Sequence, residues 1–93
     1  MNVKKNRTVD FAIKTLTPAE RQKVFAWFDH LANWENDRHT REAAKPSADK
    51  NVLVLTTSDD FRIFFSLDDA SKEITVLDIA RPSRFEPAGR ASE

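Results

Sequence analysis

The chain contains no cysteine and no tyrosine among its 93 residues. The first absence removes disulfides, thiolate metal sites and cysteine nucleophiles, and it fits a reducing compartment. The second leaves seven Phe and two Trp, rings that stack but cannot shuttle a proton as a phenol can. Long hydrophobic runs are also missing: nothing approaches the roughly 20 apolar residues of a membrane span. Met1-Asn2-Val3-Lys4-Lys5 has no apolar run behind it, so a soluble, cytoplasmic protein with no membrane partner is expected. Neither charge sign dominates, with 15 Lys and Arg against 15 Asp and Glu. Such a balance does not suit a general nucleic-acid coat, whose affinity grows with the number of cations presented together.

What is present is an ordinary globular mixture, 40% apolar and 32% charged, rather than a disordered composition. At 93 residues the chain makes one domain with a thin core, one layer of sheet against one of helix. Charge is unevenly divided. Residues 1–50 carry ten Lys and Arg against seven Asp and Glu, and residues 51–93 carry five against eight, hence +3 and −3. The densest basic cluster, Lys4, Lys5 and Arg7, reads as a solvated terminus.

Residues 8–16 alternate Val9, Phe11 and Ile13 with Asp10, Ala12 and Lys14, the pattern of a half-buried strand. Thr17-Pro18-Ala19-Glu20 is a capping box: the hydroxyl accepts from a free amide of the first turn, Pro suits the first helical position, and Glu reaches back. Val24, Trp27, Phe28, Leu31 and Trp34, widened by Phe25, recur at helical spacing and predict a face packed on the sheet. Residues 35–45 are nearly all polar, a solvated second helix or a loosely ordered arm that Lys45-Pro46 ends. After a turn at 48–51, Val52-Leu53-Val54-Leu55 reads as a central strand covered on both faces. Ser58-Asp59-Asp60 and Asp68-Asp69-Ala70-Ser71 are turn chemistry, so residues 52–79 form a three-stranded antiparallel meander. A short tail follows Pro82.

The residues most suggestive of function are two arginines. Phe61, Ile63, Phe65 and Leu67 share one face of a strand, which puts Arg62 on the other beside Phe64 and Ser66. A guanidinium keeps its proton, so it either ion-pairs, with Asp78 of the next strand as candidate, or faces a polar site. Arg81 closes the following strand where Pro82 ends pairing. His30 and His39 lie nine residues apart with no third ligand, which is not metal-site spacing, and no cofactor motif is present.

Phe61-Arg62-Ile63-Phe64-Phe65 resembles the aromatic-Arg-x-x-Tyr strand of the RelE/ParE superfamily of type II toxin–antitoxin toxins. Ile74-Thr75-Val76-Leu77-Asp78-Ile79-Ala80-Arg81, with Phe85 behind it, is similar to that family's apolar strand, arginine and following tyrosine. The resemblance covers residues 8–85 of a single domain. It implies an α+β fold: an N-terminal strand, one or two helices on one face, then the meander, in a four-stranded sheet. It also implies a toxin held by a cognate antitoxin, either a ribosome-dependent messenger-RNA endoribonuclease or a DNA gyrase inhibitor, with a non-toxic antitoxin-binding domain as a third reading. A homodimer stays open. By the resemblance Arg62 and Arg81 would be catalytic, holding the phosphate, and Lys50, Arg84 and Phe85 would contact RNA. Two departures stand out: Phe65 and Phe85 where the family has tyrosine, and no ionisable side chain on residues 52–55. Lys50, His30 and His39 are the remaining candidates for proton transfer.

Overall fold

The computed structural model describes residues 1–48, 51–57 and 60–81. Its first strand, β1 (Asn2–Lys5), runs parallel to the last strand of the described residues, with Val3 beside Ile74 and Lys5 beside Val76. The basic cluster read as a solvated terminus is therefore in part an edge strand. Lys4 pairs with Glu73 at 2.9 Å, and the Lys5 ammonium lies 5.9 Å from the centre of the Phe28 ring.

Residues 8–16 are not a strand. Residues 8–14 belong to helix α1 (Arg7–Lys14), whose N-cap Asn6 accepts from the Val9 amide at 3.0 Å, and Thr15 and Leu16 follow in the turn after it. The alternation of Val9, Phe11 and Ile13 misleads because the inward set is Val9 and Leu16, buried, with Ala12 and Ile13 partly buried between them, which is helical spacing. Phe11 is left 63% exposed. Helix α2 (Pro18–Ala32) starts on the capping box as read: the Thr17 hydroxyl accepts from the Glu20 amide at 3.2 Å and Glu20 Oε1 accepts from the Thr17 amide at 2.9 Å. Its inner stripe is Val24, Phe28 and Leu31, continued by Trp34 in a 3-10 turn (Trp34–Asn36). Phe25, expected to widen that stripe, is 42% exposed.

The polar stretch resolves into α3 (Arg38–Ala43). Asp37 caps it, its Oδ1 accepting from the Thr40 amide at 3.0 Å while Oδ2 meets His30 Nδ1 at 2.7 Å. Those contacts, the Thr40 amide first and His30 second, hold the Asp37 carboxyl at about 2.

Lys45-Pro46 does end the helix, and forms a two-residue strand, β2 (Lys45–Pro46). Then come β3 (Leu53–Thr56), β4 (Arg62–Asp68) and β5 (Glu73–Ala80), the antiparallel meander expected. Among the described residues the sheet has five strands in the order β1-β5-β4-β3-β2, one more than the four expected because β2 adds an edge. That order makes β3 penultimate, and Leu53 and Val54 are only half-buried, so it is not a strand covered on both faces. Asp49, Lys50, Ser58 and Asp59, and the tail from Pro82, lie outside the described residues. In the β4–β5 turn Asp68 Oδ1 accepts from the Ala70 and Ser71 amides, and hydrogen bonding from Ser71 above all holds its carboxyl below the ordinary value. Lys72 takes φ 59° there, a left-handed residue closing the turn.

Helices and sheet meet on one face. Val9, Leu16, Val24, Phe28 and Leu31 pack with Leu55, Ile63, Phe65, Ile74, Val76 and Ile79. The odd interval from Val76 to Ile79 is absorbed by a bulge: Phe64 pairs with Asp78 and Phe65 with Val76, leaving Leu77 as the extra residue. Without it Ile79 would be turned out of the core, since one residue of slip reverses every side chain. No helix of the described residues is long and apolar enough to cross a membrane.

Candidate nucleic-acid interface on the open face of the sheet

The period-two pattern of β4 buries Phe61, Ile63 and Phe65 and turns Arg62, Phe64 and Ser66 to the face away from the helices. Arg62 begins the strand, with Thr56 opposite it on β3 and Ala80 on β5. One row along, Phe64 lies between Val54 and Asp78, and Lys45 of β2 is opposite Val54. Residues directly opposite in antiparallel strands share a face, so Lys45, Val54, Phe64 and Asp78 form one row and Thr56, Arg62 and Ala80 the next. These two rows therefore carry two cations, one carboxylate, a half-buried phenyl ring and a hydroxyl.

Arg62 is exposed and makes no ion pair among the described residues. The cross-strand pair with Asp78 does not form: Asp78 Oδ1 accepts from the Ile79 amide at 2.8 Å instead. Lys45 was read only as a helix stop. Its position on this face follows from the β2–β3 pairing, which no local pattern announces.

Arg81 shares the same end of the sheet, one residue past the partner of Arg62, but its side chain goes the other way. Its Nη2 donates to the Thr15 carbonyl at 2.8 Å and to Glu20 Oε1 at 3.1 Å, so it docks on the turn between α1 and α2. The two arginines are brought to one sheet end without sharing a ligand. Nearby, Arg21 Nη2 donates to the adjacent carbonyl of Leu16 at 3.1 Å.

Of the other residues singled out, Lys50, Arg84 and Phe85 lie outside the described residues. His39 is exposed in α3. His30 is exposed and bound to Asp37, with its ring 4.9 Å from that of Trp27, outside the core edge assigned to it. Phe65 is a correction: its ring is wholly buried, 5.7 Å from Trp34 in an edge-on contact, and faces the helices rather than any ligand. Phe64, its neighbour on the open face, is the ring available for stacking. At the far end of β4 an open concavity of about 560 Å³ is lined by Asn51, Leu53, Ser66, Leu67, Asp68 and Asp69, and its carboxylates make it unsuited to a phosphate.

No family model matches the sequence, and no curated protein matches it. Solved structures do. The isolated RelE toxin of E. coli superposes with a TM-score of 0.72 at 15% identity, over 98% of this chain and 94% of that one. The RelE–RelB complex of the archaeon Pyrococcus horikoshii OT3 gives 0.66 at 22% identity, over 89% and 96%. The intact E. coli RelBE toxin–antitoxin complex gives 0.68 at 10% identity, over 89% and 98%. At these identities the likeness is one of fold. The described residues have the RelE-like α+β fold.

Proposed function

We propose that this chain is the toxin of a type II toxin–antitoxin pair, a RelE-like protein of the cytoplasm that engages messenger RNA on the ribosome and blocks translation. The observation that carries the reading is Arg62, an arginine without an ionic partner among the described residues on an open sheet face beside an aromatic ring, within a RelE-like fold. Guanidinium and ring together suit a single-stranded RNA, the cation on a phosphate and the phenyl under a base. Lys45 adds a second cation two strands away, roughly 10 Å at normal strand spacing. RelE structures solved with RelB support a cognate antitoxin here too.

Cleavage by a 2′-hydroxyl needs a base, cations for the charge developing on the phosphate, and an acid for the departing 5′-oxygen. Arg62, with Arg81 once released from Glu20, supplies the cations. The proton-transfer groups are weakly represented: β3 offers Val54 and Thr56 to the open face, the chain has no tyrosine, and Asp78 lies in the row next to that of Arg62. Lacking a positioned acid or base lowers a rate by about two to four orders of magnitude. Slow cleavage with intact RNA engagement is the expected behaviour. The same deficit favours a second reading, a RelE-like domain that acts by binding alone, on an antitoxin or on DNA gyrase.

Inducible expression in a bacterial host, with growth and message integrity followed together, tests this. Arrest with cleavage of ribosome-bound message that Arg62→Ala/Arg81→Ala abolishes is the expected result. Arrest without cleavage but with loss of supercoiling, or unimpaired growth with soluble protein, refutes it in favour of the binding modes. In vitro, Arg62→Ala should lower the salt dependence of RNA binding by about one counterion.

A further inference from the structure

The contacts of Arg81 point to a built-in competitor for the phosphate. An arginine grips an oxyanion through one of two forks, Nε with Nη2 or Nη1 with Nη2. Both forks share Nη2. In this structure Nη2 donates to Thr15 O at 2.8 Å and to Glu20 Oε1 at 3.1 Å, which commits both of its protons. The side chain is 50% exposed, and its Nε and Nη1 protons have no acceptor among the described residues, so it is reachable yet cannot offer a complete fork. Glu20 Oε1 is itself anchored, because it accepts from the Thr17 amide at 2.9 Å. The carboxylate is thus held in place by the start of α2 whether or not Arg81 is bound.

We infer that Glu20 is an autoinhibitory counter-ion that parks Arg81 against the α1–α2 turn, and that an RNA phosphate must displace it from Nη2 before Arg81 can bind. The inference rests on the reading of Arg81 as a phosphate ligand. Glu20 acts through Arg81 and touches no substrate, so it is a positioning residue. Its two roles separate chemically: glutamine keeps an oxygen acceptor for the Thr17 amide, as capping boxes allow, while losing the charge that holds Arg81.

The test is the affinity of the full-length chain for a short oligouridylate, by fluorescence anisotropy at fixed salt, for wild type, Glu20→Gln, Arg81→Ala, the double mutant and Arg62→Ala. A half-exposed ion pair of this kind corresponds to a gain of about two- to fivefold on release. Glu20→Gln should tighten binding by that factor, with the thermal midpoint lowered by no more than about 8 °C, and the gain should vanish in the Arg81→Ala background. An equal gain with and without Arg81 would reduce Glu20 to a source of general repulsion and overturn the inference. So would Glu20→Gln binding no tighter than wild type while Arg81→Ala weakens binding. If Arg81→Ala and Arg62→Ala both leave affinity unchanged, the phosphate reading itself fails.

Discussion

Phe65 sits where the resembled family carries a tyrosine, so restoring that tyrosine is an informative perturbation. Were Phe65 part of the functional face, Phe65→Tyr would add a proton-transfer group beside Arg62 and raise cleavage. The structure gives the opposite expectation. The ring is 0% exposed, meets Trp34 edge-on at 5.7 Å, and sits on β4 between Leu53 and Val76, where the core lining is apolar. A hydroxyl stranded there without a partner costs about 1–3 kcal/mol. With a urea slope of about 1–3 kcal/mol per molar, that lowers the unfolding midpoint by roughly 1 M. Phe65→Ala, which opens a cavity instead, should cost about 3–5 kcal/mol, a large part of the 5–15 kcal/mol available to a small domain. Phe64→Tyr is the control: on the half-buried open face the phenol reaches water, and the change should stay within about 0.5 kcal/mol. Urea unfolding followed by tryptophan fluorescence, together with cleavage of ribosome-bound message, gives the readouts. A Phe65→Tyr protein as stable as wild type and gaining cleavage would refute the placement of this ring in the core.

Thr17→Ala removes the hydroxyl half of the capping box and should lower stability by about 0.5–2 kcal/mol, measured by urea unfolding, with Thr17→Ser recovering most of it. Arg62→Ala should leave the unfolding midpoint unchanged, because the guanidinium has no ionic partner among the described residues to lose; a clear drop would reveal a structural pair. For Asp37 the carboxyl is held at about 2 against an ordinary 3.8. A depressed carboxyl contributes stability that is fully present above its unfolded value and lost as pH falls through its folded one. Asp37→Asn keeps a cap but not the charge, so the stability gap between it and wild type should close as pH falls from about 4 to about 2. A gap independent of pH across that window would contradict the assigned contacts.

The α2 start, the meander and the outward turn of Arg62 were legible because their causes are local. A capping box closes within four residues, and alternation at period two follows from strand geometry whatever lies beyond. The segment before the box was misread for a matching reason. Val9, Phe11 and Ile13 satisfy a strand pattern and Val9, Ala12, Ile13 and Leu16 a helical one, and the choice between them was made by Asn6 as cap and by Val3 pairing beside Ile74.

The amino-acid sequence by itself determined the pairing of one sheet layer with one helix layer, the helix boundary at Thr17, Arg62 within a strand and Arg81 just past the end of one, since short-range hydrogen bonding and side-chain periodicity suffice for each. Only the tertiary structure decided that Leu77 forms a bulge, that Lys45 joins the face of Arg62, and that Phe65 is core rather than site. It also decided that Arg81 turns to Glu20, its acceptor 61 residues away along the chain. Each of these depends on which strand lies beside which and on what fills the space between layers, and such long-range pairing is set by the packing of the whole chain rather than by any window of it.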